Sequence, residues 1–110
     1  MAATRYDLIV DQGSDYLLRI PVINELGQYV TVTGWTVAGQ IRARHGDDVV
    51  LHQLDVTTNG QNIDLRIPRN VSSEWTWTAA RYDVEIVSPD ATTGARLIEG
   101  GVFVRPEITR

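Results

Sequence analysis

Arg81-Tyr82-Asp83-Val84-Glu85-Ile86-Val87-Ser88 decides how the rest of the chain is read. Tyr82, Val84 and Ile86 alternate with Asp83, Glu85 and Val87, a period of two. In a β-strand successive side chains point to opposite faces, so this rhythm marks a strand with one face in a core. Tyr82 and Val84 are therefore expected core residues. Asn62–Ile67 repeats the pattern, with Ile63, Leu65 and Ile67 inward and Asp64 and Arg66 outward. Thr36–Arg44 does the same with Val37, Gly39 and Ile41, and Trp35 at its entrance is placed to pack across the core. Ile41 joins Trp35, Tyr82 and Val84 as predicted core.

Working outward, Arg5–Asp11, Asp15–Ile23, Val49–Val56 and Ala95–Arg105 complete seven strands. Tyr29–Thr33 is a further short extended piece. Pro21 cannot donate to a ladder, so its end of the second strand belongs at an edge or a bulge. Turns are expected at Gln12-Gly13-Ser14, at Asn24–Gln28, at His45-Gly46-Asp47-Asp48, at Asn59-Gly60 and across Pro89–Gly94. Gly39 suggests a close backbone approach, and Gly100-Gly101 a bulge or bend in the last strand. Pro68–Trp75 starts with proline and does not alternate, which fits one helical turn before the sixth strand.

Composition agrees. Val, Ile and Thr outnumber Leu and Ala by about two to one, and β-branched side chains suit pleated sheets. At 110 residues the chain reads as a single domain, 1–110, with short arms at Met1–Thr4 and Arg105–Arg110. Strands with one wet face must pair their dry faces. The expected architecture is all-β: a seven-stranded antiparallel β-sandwich of immunoglobulin-like type, with a closed barrel as runner-up. Such sandwiches place a tyrosine corner after a turn like Pro68–Trp75, where Tyr82 sits, its hydroxyl holding a loop backbone.

The same residues exclude several function classes. The net charge of -4 argues against nucleic acid as a partner. All ten basic residues are arginine, which fits the codon usage of a GC-rich genome or a side chain suited to interfaces, and composition alone does not separate the two. No cysteine is present, so no disulfide scaffold, thiolate metal site or cysteine nucleophile is available. No apolar run approaches the ~20 residues of a membrane span, and no secretory leader is visible. His45 and His52 lack metal-ligand spacing and read as solvated. Asp47-Asp48 and the Asp11/Asp15 pair read as turn carboxylates rather than a calcium loop. No catalytic or nucleotide motif occurs, so no enzyme activity and no cofactor are expected. Trp75-Thr76-Trp77 is the unusual feature: extended, it points both indoles to one side, for core closure, a protein contact or a sugar ring.

Taken in order, Tyr6–Ile20, Glu25–Arg42, Asn62–Pro68, Arg81–Val87 and Leu97–Arg110 resemble a family of small tailed-phage virion proteins. These are the N-terminal domain of phage baseplate upper proteins and its stand-alone immunoglobulin-like relatives. The resemblance rests on Gln12-Gly13, the polar hairpin with Gly27, Val32-Thr33-Gly34-Trp35-Thr36, Gln40-Ile41-Arg42, Tyr82-Asp83, Glu99-Gly100, Val102-Phe103-Val104 and Ile108-Thr109-Arg110. Thr31-Val32 stands where such proteins often carry Asp-Leu, and no coiled coil follows the domain. The resemblance implies a non-enzymatic virion part, made in the host cytoplasm, in the tail or baseplate. It would act as an adaptor through contacts with other virion proteins in a symmetric assembly. A capsid-decorating protein and a module binding host-surface glycan through Trp75 and Trp77 are the alternatives. Arg105 and Arg110, on the terminal arm, are expected contacts with neighbours.

Overall fold

The computed structural model describes residues 4–44 and 49–106. Met1–Ala3, His45–Asp48 (with the Asp47-Asp48 pair) and Glu107–Arg110 lie outside the described residues, so the expectations placed on them go no further. The fold is all-β. In chain order the elements are β1 (Thr4–Arg5), β2 (Leu8–Asp11), β3 (Tyr16–Pro21), β4 (Thr36–Arg42), β5 (Val50–Asn59) and β6 (Asn62–Ile67). Then come α1 (Arg69–Ser72), β7 (Ala79–Val87) and β8 (Gly94–Arg105).

The strands form one curled path, β1-β8-β7-β4-β5-β6-β3, with β2 also beside β8. What curls it is β5. Its first half pairs with β4, Leu54 opposite Gly39 and His52 opposite Ile41. Its second half pairs with β6, from Asp55 opposite Arg66 to Asn59 opposite Asn62. A ten-residue strand that serves two neighbours must bend between them, which folds the sheet over its own inner face like half a barrel. Alternation then fills that face. Ile41, Ile63, Leu65, Ile67, Val84, Leu8, Val10 and Val102 are fully enclosed, and Tyr82 is nearly so.

Three expectations need correction. First, the sheet is mixed, not antiparallel, and has eight strands. The expected strand Arg5–Asp11 is broken into β1 and β2, and both run parallel to β8, Thr4 opposite Ile98 and Leu8 opposite Val102. Side-chain alternation fixes which face is buried, but it says nothing about which strand lies alongside or in which direction. Second, the last strand bulges at Leu97, not at the glycine pair. Ile98 lies opposite Val84 and Arg96 opposite Glu85, so Leu97 is the extra residue. Third, Trp35 is half-buried rather than a core centre; it packs against the core from the entrance of β4.

The glycine pair does something else. A Cβ on Gly100 would stand 2.3 Å from the Tyr6 carbonyl oxygen. The chain passes that close because it kinks at Tyr6-Asp7, between β1 and β2. There the Tyr82 hydroxyl donates to the Tyr6 carbonyl at 2.6 Å, and the Gly101 N–H donates to Asp7 Oδ1 at 2.8 Å. Tyr82 buries its ring, but its hydroxyl holds the connection between β1 and β2 rather than the nearby upstream backbone that a tyrosine corner holds. The segment it holds lies 76 residues upstream.

Candidate functional site: a pinned tryptophan pair

Pro68 opens α1, and its carbonyl accepts the N–H groups of Val71 and Ser72 at 3.0 and 3.3 Å. The turn between β2 and β3 fastens this short helix. Asp15 Oδ1 accepts the Arg69 N–H at 2.8 Å, satisfying a helix-start donor. Ser72, fully enclosed, accepts the Gly13 N–H on its hydroxyl at 3.0 Å. The Gln12 side-chain amide donates to the Trp75 carbonyl at 3.0 Å. Gly13 takes a positive φ of 82°, which lets the turn present its backbone this way. The effect is to fix where the chain leaves α1, and so where Trp75 begins.

Trp75 and Trp77 then stack, ring centroids 4.5 Å apart and planes 26° from parallel. His52, from β5, meets Trp75 edge-on at 5.7 Å and 61°. All three side chains are half-buried, and both indoles pack against the core cluster. Desolvation pushes the His52 pKa below its ordinary 6.5, so its imidazole is neutral at neutral pH. His52 is therefore not the solvated side chain expected; it borders an aromatic cluster. The two indoles do lie together, as the i, i+2 spacing implied. Each spends one face on the other, so a ligand ring would meet only what remains. The cluster offers flat apolar surface, two indole N–H donors and one neutral imidazole.

Arg105 and Thr4 are strand residues rather than parts of free arms. Arg105 forms an ion pair with Asp11 on the neighbouring strand, and this hydrogen bond holds the Asp11 carboxyl below its usual range. Asp11 and Asp15, read as a possible acidic pair, are thus engaged separately, one with Arg105 and one with the Arg69 N–H. Arg110 lies outside the described residues, as do His45, Asp47 and Asp48. No group of three or more metal-ligating side chains occurs among the described residues.

The curled sheet also leaves a seam that the sequence did not reveal. Its free edges are β1 and β2 on one side and β3 on the other, close together at the Asp11–Asp15 turn. Farther along, an apolar groove of about 340 Å³ lies between them, lined by Tyr6, Leu18, Ile20, Ile23, Leu97 and Ile98. Burial beside this seam pushes the Tyr16 hydroxyl up to about 12. No alternation signal reports where two edges of a curled sheet come to lie, so only the folded chain shows the groove.

Neither a known protein family nor a curated protein matches the chain. Among solved structures, it is similar to a family 123 glycoside hydrolase from Clostridium perfringens, studied for glycolipid glycan hydrolysis. The identity is 10% and the TM-score 0.39, over 97% of this chain and 24% of that one. The chain thus spans about a quarter of that protein's length, and a likeness of this degree carries no argument about fold or chemistry.

Proposed function

We propose that the chain is a non-enzymatic structural subunit of a tailed-phage virion, an adaptor in the tail or baseplate that works through contacts with other virion proteins. The family resemblance supplies the setting. The observation that carries the reading is that large apolar side chains stand exposed along both outer edges of the sheet. Tyr6 and Ile9 stand exposed on the β1–β2 edge, with Phe103 beside Ile9, and Leu17 and Ile23 stand exposed at and just beyond β3. Leu17 is 72% exposed. Unpaired edges carrying large apolar side chains are surfaces that other chains can cover. Copies repeated around a ring make even a modest contact sufficient, through avidity.

We read the curled sheet further as an immunoglobulin-like sandwich in which one strand runs through both layers. Support comes from the strand order. The second half of β5, with β6 and β3, matches one sheet of that architecture; β8, β7, β4 and the first half of β5 match the other.

Electron microscopy of particles made without this product tests the reading. A missing layer of tail or baseplate density is expected, and particles with complete density would remove the proposal. The stacked tryptophans favour a second reading, a glycan-binding module. A glycan array comparing the wild type with the Trp75→Ala/Trp77→Ala pair separates the two. Binding lost in the pair supports the second reading; no wild-type binding, or equal binding by both, sinks it.

A further inference from the structure

The outer face of β4, β7 and β8 is a polar groove of about 390 Å³ with opposite charge at its two ends. One end holds Arg42, Arg44 and Arg81. Arg42 and Arg81 are direct cross-strand partners, an arrangement of like charges that weakens a sheet. Gln40 braces the Arg42 guanidinium, its Oε1 accepting from Nη2 at 2.8 Å, and Gln53 accepts in turn from Gln40 at 3.3 Å. Arg81 has no carboxylate within ion-pair distance among the described residues. The other end gathers Asp83, Glu85 and Glu99 around Arg96, at 3.4, 3.9 and 3.1 Å. One cation among three carboxylates leaves that end negative.

The two ends are rigidly spaced. Arg81 and Glu85 point outward from the same strand four residues apart, about 13 Å at strand rise. Between them Asp83 stands opposite Gln40, and at the acidic end the face is low on β4, where Ala38 stands opposite Glu85. A two-fold axis lying in the plane of the contact, across the line that joins the two ends, brings the arginine end of one copy over the acidic end of another, and the reverse contact forms at the same time.

We infer that this face is a self-complementary contact between two copies of the chain, Arg44 and Arg81 of each meeting Asp83, Glu85 and Glu99 of the other. The chain as a whole is acidic, so generic electrostatics would keep copies apart. A local pattern that reverses across one groove supplies the attraction instead. The inference deepens the assembly reading above and rests on it for its biological setting.

Sedimentation equilibrium of the whole chain tests it, with Arg81→Glu, Glu85→Arg and the double variant run beside the wild type. The wild type should dimerise at low salt and dissociate near 1 M salt, where the screening length falls to about 3 Å. Each single reversal should weaken the dimer by about tenfold or more, and the double variant should return to within about threefold of wild type. A wild type that stays monomeric at low salt overturns the inference. So does a dimer indifferent to either reversal, or a double variant as weak as the singles. Glu85 is exposed, so Glu85→Arg carries the test even if Arg81→Glu fails to fold. No dimer alongside missing particle density removes this inference and leaves the assembly reading. A charge-dependent dimer alongside complete particle density does the opposite.

Discussion

Replacing Gly100 by alanine tests how the chain's first segment is held. A Cβ there would lie 2.3 Å from the Tyr6 carbonyl oxygen and 2.8 Å from its carbon, both backbone atoms with no rotamer to escape into. Relief requires the carbonyl to retreat by about 1 Å to reach ordinary contact. The Tyr82 hydroxyl bond to that oxygen, 2.6 Å long, then stretches past the useful range. Overpacking costs about 1–3 kcal/mol and the lost hydrogen bond about 1 kcal/mol more. Gly100→Ala should therefore destabilise by about 2–4 kcal/mol in urea unfolding, or roughly 8–16 °C in Tm. A double-mutant cycle isolates the cause. Tyr82→Phe should cost about 1 kcal/mol in the wild type and almost nothing once Gly100→Ala is present. A Gly100→Ala cost under about 0.5 kcal/mol, or an equal Tyr82→Phe cost in both backgrounds, refutes the coupling.

Four further outcomes are expected. Tyr82→Ala should cost about 3 kcal/mol or more as a core aromatic truncation; a value under ~1 kcal/mol in denaturant unfolding would mean the ring is not packed as described. Ser72→Ala leaves the Gly13 N–H without its acceptor and should cost about 1–3 kcal/mol, with Trp emission shifting red as the tryptophan pair loosens. Ala91 holds a positive φ of 61°, so Ala91→Gly should raise stability by about 0.5–1 kcal/mol; an unchanged Tm would argue against that backbone conformation. Hydrogen bonds from Ser88 and Thr92 lower the Asp90 pKa to about 2 from 3.8. A depressed carboxylate stabilises the fold above its unfolded pKa and loses that contribution as pH falls through the folded one. Stability should thus decline between about pH 4 and pH 2, and Asp90→Asn should flatten that part of the urea-midpoint profile.

Much of the sheet was legible from the two-residue rhythm. Asn62–Ile67 was bounded as observed, and the strands around Tyr82, Ile41 and Ile20 fell within two residues at most ends. The helical turn after Pro68 was signalled by proline and by the break in alternation. What escaped were facts about neighbours. Tyr6 alternates with Leu8 and Val10 in sequence, yet it lies in the break between β1 and β2 and stands exposed. Parallel pairing with β8 leaves no mark on the residues of β2. The indole pair was visible as Trp75-Thr76-Trp77, while Gln12 and Ser72, which place it, looked like ordinary turn polar residues. Their partners are about sixty positions away, and sequence spacing carries no information across that distance.

The position of β8 has a consequence for synthesis. It sits between β7 and the pair β1–β2, and its contact from Gly101 to Asp7 joins residues 94 positions apart. On a translating ribosome β1 and β2 emerge well before β8, whose contact with Asp7 lies 94 positions farther along the chain. At about 5–20 residues per second that wait lasts several seconds or more. Throughout it Leu8 and Val10 have no finished pocket to enter. The nascent polypeptide is most vulnerable to capture by chaperones or by other unfinished chains during that interval, which ends only when β8 has emerged.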